Sequence, residues 1–181
     1  MPLKPPTTAL AVRLADTFRA ARAEVSAGWP SCPVCHDGKD VRDDQKKTRS
    51  NDWVRRYRCR ACDVRFSDQH GTPLAHTQKP LAVWALLVLW QPHTNPSAPS
   101  WEALCRLTGV GRQRLQEMDG RLRVSALAER WRVLLQQAGP VTVTALLGTF
   151  PEARLQAFHK LNGDTKGRAI HRTLANKRSR S

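Results

Sequence analysis

The apolar positions Leu10, Leu14, Phe18, Ala21 and Val25 recur at spacings of three and four, the period of one helical face. A helix is therefore expected from Ala9 to Ala27, with Arg13, Arg19, Arg22 and Glu24 off its apolar stripe. Before it, residues 1–8 are a Pro-rich leader; after it, Gly28-Trp29-Pro30 ends the helix. From Ser31 to about Lys79 the chain is dense in turns and charges, with little helical period. Leu81 to Trp90 is continuously apolar and predicts a buried helix. Gln91 to Pro99 is a loop with three prolines, and Ser100 can cap a further helix with Glu102 in its first turn. Helical patterning continues to about Gln137, and Gly139-Pro140 breaks it. The run Val141-Thr142-Val143-Thr144, leading into Ala145-Leu146-Leu147, predicts a short strand. The end of the chain, from Asn162, is polar and basic.

The chain has 181 residues, 40% of them hydrophobic, and a formal net charge of +15. That is too apolar for a disordered polyelectrolyte. Arg outnumbers Lys 22 to 8, which suits planar, bidentate contacts to phosphate and guanine. A polyanion, nucleic acid first, is the expected partner. The bland alternative is a basic protein from a GC-rich genome. The longest apolar run, Pro80 to Trp90, is about half of the ~20 residues a membrane span needs. The N-terminus lacks a signal-peptide layout, since Arg13, Asp16 and Arg19 interrupt any apolar core. The expectation is a cytoplasmic, nucleoid-associated protein without a membrane partner, in which five cysteines do not form a disulfide framework.

Four of those cysteines form two CxxC pairs, Cys32/Cys35 and Cys59/Cys62, with 23 residues between them. Two thiolates on each of two tight knuckles complete a tetrahedral shell that suits one structural Zn²⁺ ion. Redox dithiols or an iron–sulfur site are the alternatives. His36, His70 and His76 lie nearby, but a four-cysteine shell has no vacancy for them. The stretch Val54 to Phe66 alternates in a way that fits a β-hairpin strand entering the second knuckle. Its arginines, Arg55, Arg56, Arg58 and Arg60 together with Arg65, are candidate phosphate contacts or simply a solvated face. Trp29, Trp53, Tyr57 and Phe66 are either the ribbon's small core or stacking groups for single strands.

From Trp101 to Arg123 the pattern fits a helix–turn–helix. Leu104 and Leu107 face inward, Cys105 is a small core residue, and Gly109 permits a left-handed turn. Val110 plugs the corner, while Leu115 and Met118 face the core from the second helix. That helix would present Arg112, Gln113, Arg114 and Gln116 to base edges, since Arg pairs with guanine and Gln with adenine. Arg121 is a further DNA contact, and Leu81 to Trp90 supplies the third helix of the unit. An α-hairpin that merely packs is the alternative. Thr165 to Ser181 carries six Lys or Arg and no acid, so Lys166, Arg168 and Arg172 belong to a basic arm able to neutralise phosphate.

In order, the chain contains Cys32-Pro33-Val34-Cys35, Tyr57-Arg58-Cys59-Arg60-Ala61-Cys62, Phe66-Ser67, Gly71-Thr72, Lys79-Pro80-Leu81, Trp84 and the helix–turn–helix. This run of about 100 residues resembles the N-terminal zinc-ribbon and helix–turn–helix region of insertion-sequence transposases. The resemblance implies a region that binds terminal inverted repeats, with zinc holding the ribbon. It also implies a following ribonuclease-H-like domain whose carboxylates bind two metal ions. Where that domain's first strand and acidic residue belong, this chain has Thr144-Ala145-Leu146-Leu147, and only Glu152 and Asp164 follow.

The expected fold is therefore small mixed α+β. Residues 1–28 form the leader and amphipathic helix, 29–79 a four-cysteine zinc ribbon of short β-hairpins, 80–137 a three-helix helix–turn–helix unit, and 138–181 a short remnant with a basic tail. The expected function is non-catalytic, sequence-specific binding of double-stranded DNA, with a homodimer compatible with it. The alternatives are an active transposase or nuclease completed by another chain, and a zinc ribbon that binds RNA or single strands.

Overall fold

In the computed structural model, α1 (Thr8–Val25) buries Leu10, Leu14, Phe18 and Ala21, the expected stripe, against α2 (Leu81–Trp90) and α5 (Ala126–Gln137). Described are residues 8–26, 29–36, 38, 41–43, 54–77, 79–137 and 143–162. The α1–α5 seam is closed by Phe18 edge-on to Trp131, with ring centroids 5.2 Å apart. Trp131 Nε1 donates to Thr17 Oγ1 at 3.1 Å, so the largest buried ring of α5 carries no unmet donor. At the far end Arg130 pairs with Glu24. Two expectations fail on this helix. Val25 is 43% exposed, because the helix ends there, and Arg22 is only 4% exposed.

α2 lies at the centre. Leu81 to Val88 are all buried, and the helix touches α1, α4 (Arg112–Arg123), α5 and α6 (Val143–Leu147). A helix that is apolar on every side needs neighbours on every side. It ends at Gln91, which takes a left-handed conformation and donates its N–H to Leu87 O. α3 (Trp101–Thr108) starts as expected on Ser100, whose side chain accepts from the Ala103 amide at 3.2 Å.

The predicted strand at Val141–Thr144 is not formed. Residues 141 and 142 lie outside the described residues, and Val143–Leu147 is helical. Leu146, on α6, and Phe150, in the turn after it, are both buried in the helical core. A seventh helix, α7 (residues 152–162), follows and buries Phe158, which stacks on Trp90 at 5.7 Å. Leu146, Phe150 and Phe158 thus join the helical core.

The segment between α1 and α2 holds a three-stranded antiparallel sheet of β1 (Val41–Asp43), β2 (Arg56–Cys59) and β3 (Arg65–Ser67), in that order. Its own core is small: Cys32, Tyr57, Cys59 and Phe66, flanked by Trp29, Val41, Cys62 and Val64. Leu74, beyond β3, is buried in the helical core. The fold is a small mixed α+β one, with seven helices and one sheet among the described residues. No described helix is long and apolar enough to cross a membrane.

Candidate metal centre and nucleic-acid interface

The four expected cysteines meet. Their Sγ atoms all lie within 4.8 Å of one another, with Cys32 to Cys62 at 3.4 Å and Cys35 to Cys59 at 3.5 Å. These distances rule out S–S bonds of about 2.05 Å. A tetrahedral ion with metal–sulfur bonds of about 2.3 Å sets its ligands roughly 3.8 Å apart, so the cluster fits a four-thiolate metal site. The two knuckles are built alike: the residue after each second cysteine, His36 and Asp63, sits at positive φ, 59° and 61°. Such a backbone is uncommon for residues other than glycine, and it turns the chain so that both sulfurs of a pair point to one centre. Burial opposes ionisation of Cys32. Backbone donors at Cys35 and Val34 and the neighbouring thiols outweigh it and bring the thiol down to about 6. His36, His70 and His76 are exposed and stand outside the cluster.

Beneath the sheet, Trp29, Tyr57 and Phe66 pack with centroids 5.4 to 5.8 Å apart. Tyr57 and Phe66 are buried, so these two rings are ribbon core; Trp53 lies outside the described residues. Trp29 is covered by the Arg22 guanidinium, 3.3 Å from the ring centroid. The same guanidinium donates to the carbonyls of Asp68 and His70, and Arg19 Nε donates to the buried Asp68 carboxylate at 2.9 Å. Burial draws Arg22 down to about 10, against the attraction of Asp68 and Tyr57. It still carries its charge at neutral pH. Sequence reasoning missed this joint because Arg22 sits one residue beyond Ala21 on the rim of the apolar stripe, where a long side chain can turn inward.

The described candidate nucleic-acid contacts occupy two surfaces. On the ribbon, Arg55, Arg56, Arg58 and Arg60 are exposed. The register places Arg42 opposite Arg58 and Arg58 opposite Arg65, so three arginines share one row on the outward face. Arg58 also pairs with Asp63.

On α4, Leu115, Met118, Asp119 and Leu122 face inward while Arg112 and Gln113 are exposed. Arg114 and Gln116 are half-buried, and Arg114 Nη1 donates to Glu117 at 2.8 Å. Arg121 is exposed near the other end, with Nη1 3.5 Å from Ala75 O. Gly109 adopts φ 68° and Val110 is buried, as the turn between α3 and α4 was expected to require. Cys105 is half-buried against the core and lies apart from the metal cluster. α4 begins at Gly111 with no side-chain cap and no acid in its first turn.

A further link escaped sequence reasoning. His93, in the Pro-rich loop, lies 2.7 Å from Asp119 of α4, which also meets Arg123 at 3.3 Å. Burial raises the Asp119 carboxyl, opposed by His93 and Arg123. Only a 26-residue separation in sequence connects His93 and Asp119, and no motif marks it. Lys166, Arg168 and Arg172 lie outside the described residues. No protein-family model, curated protein or solved structure matches the chain.

Proposed function

We propose that this chain is a zinc-stabilised protein that binds duplex DNA in a sequence-specific way and does not cut it. The observation that carries the reading is the first turn of α4. It offers Arg112 and Gln113 to solvent, with Arg114 and Gln116 beside them, over a fully buried Leu115 and Met118. Its amides have neither a capping side chain nor an acid to satisfy them. A helix N-terminus with that inventory suits the phosphate edge and base edges of a major groove. Arg114 must leave Glu117 to do so, an exposed pair worth little to stability.

α3 and α4 then act as a helix–turn–helix, with Arg121, the ribbon arginines Arg55, Arg56, Arg58 and Arg60, and the arm residues Lys166, Arg168 and Arg172 neutralising phosphates. Zinc is the metal proposed for the four cysteines, in a closed structural role. The ordered motifs resemble the DNA-binding part of insertion-sequence transposases, so the target is either an element's inverted repeat or a promoter. The aromatic cluster argues against single-strand stacking, since Tyr57 and Phe66 are 5% and 7% exposed.

Competition at fixed salt between duplex DNA, single-stranded DNA and RNA tests the reading, with zinc-loaded protein. Duplex should win. A preference for RNA or single strands overturns it, and so does Mg²⁺-dependent cleavage that Glu152→Gln abolishes.

A further inference from the structure

We infer that His93 is a proton-linked positioning residue for α4: protonated, it masks the Asp119 carboxylate and pins the loop 91–99 to the helix, and duplex binding takes up that proton. The inference rests on the reading of α4 as the duplex-facing helix and names a regulation of that site. His93 belongs to the loop between α2 and α3, yet its Nε2 lies 2.7 Å from Asp119 Oδ2 on α4. Its ring also packs on Trp101 of α3, with centroids 5.1 Å apart. One side chain thus touches both helices that flank the Gly109 turn. The Asp119 side chain is 3% exposed, while that of His93 is 26% exposed and reaches solvent.

The described groups facing the ring or the cavity beside it come from α2, α3, α4 and α5. From α4 come Asp119 and Arg123, whose Nε is 3.3 Å from the same Oδ2. From α5 comes Glu129, which lines that cavity of about 120 Å³ and is engaged by Arg132. α3 contributes the neutral Trp101 ring, and α2 the apolar Leu87 and Val88. Asp119 Oδ2 accepts no aligned hydrogen bond among the described residues, so the charges of His93 and Arg123 offset its burial. Loss of the His93 proton leaves the carboxylate to Arg123, which is half exposed and screened by water. Imidazole is the side chain whose charge ordinarily changes between pH 5 and 8. Spacings of four, three and four put Arg112, Gln116, Asp119 and Arg123 on one stripe of α4. Two of the proposed base-reading residues therefore lie in line with the carboxylate. Duplex phosphates brought to that stripe repel an unmasked Asp119 and favour a protonated His93. Linkage is reciprocal: a duplex that tightens the hold on the proton is itself held more tightly by the protonated form.

The test measures the affinity of full-length, zinc-loaded protein for a random-sequence duplex at fixed salt, from about pH 5.5 to about pH 8. Wild type is compared with His93→Gln and with His93→Lys, which keeps its charge across the range; ratios between them cancel the trend from other titrating groups. The affinity ratio of wild type to His93→Gln should rise about tenfold from the alkaline to the acid end, the equivalent of one pK unit. The ratio of wild type to His93→Lys should be near one at the acid end and fall about tenfold toward the alkaline end. Should the variants not fold, wild type alone serves: the titration of the His93 ring, followed by NMR, should move to higher pH when duplex is added. Ratios constant with pH, or a ring titration unmoved by duplex, leave His93 a packing residue and overturn the inference while the duplex reading stands. Absence of duplex binding by wild type at every pH overturns both.

Discussion

Arg154, on α7, donates from Nη1 to the carbonyl oxygen of Thr108, the last residue of α3, at 3.0 Å. The final carbonyls of a helix have no partner within it, and a cation there also meets the negative end of the helix dipole. α7 therefore closes over the turn that leads into α4. A side chain at Gly109 would put its Cβ 2.5 Å from Arg154 Nη1, in a backbone at φ +68°.

Gly109→Ala should destabilise the protein by about 1–2 kcal/mol from the left-handed backbone alone. It should cost about 1 kcal/mol more by displacing Arg154 from Thr108. Urea unfolding of Gly109→Ala, Arg154→Ala and the double variant checks this. The double should be less destabilised than the sum, because Arg154 can be displaced only once.

Metal removal should unfold the ribbon and leave the helices. Among the described residues the ribbon core has four buried apolar residues, whereas the helical cluster runs from Leu10 to Phe158. Structural zinc supplies about 10–16 kcal/mol in small zinc-binding peptides, far beyond what two buried aromatic rings contribute. A chelator, or Cys59→Ser, should abolish amide protection in residues 54–67 while far-ultraviolet helical signal persists. Simultaneous collapse of both would show that the helical core depends on the metal.

Asp68 gives a pH dependence with a definite sign. Its carboxyl is raised by burial, with Arg19 opposing. A raised acid binds more protons folded than unfolded between its ordinary value near 4 and its folded value, so stability from this group rises as pH falls through that window. Wild type should therefore gain on Asp68→Asn as the solution is acidified from neutral. Unfolding free energies of the pair across that range check it, and a wild type that loses ground would mean Arg19 dominates.

Much of the helical part was legible because its signals are local. The apolar run Leu81 to Trp90 is α2 itself, Ser100 caps α3, and Gly109 takes the turn. The cysteine spacing was equally direct, since a metal shell depends on four atoms of known chemistry. What escaped depends on contacts far apart in sequence. Arg22 is buried by carbonyls 46 and 48 residues away. The β-branched Val143 and Thr144 favoured a strand until Leu146 and Phe150 found the α2 core. The arginine row needed the strand register, because the second cysteine knuckle and the whole of β2 lie between Arg42 and Arg65 in sequence.

Selection of bound sequences from random duplex DNA, with zinc-loaded wild type beside Arg112→Ala/Arg114→Ala, tests the central claim most directly. The wild type should enrich one defined motif. The double variant should lose base preference at two or more positions, about 1–3 kcal/mol for each bidentate contact removed, while retaining salt-dependent binding. Enrichment of the same motif by both proteins would contradict α4 as the reading helix, and no enrichment by wild type would contradict sequence-specific binding altogether.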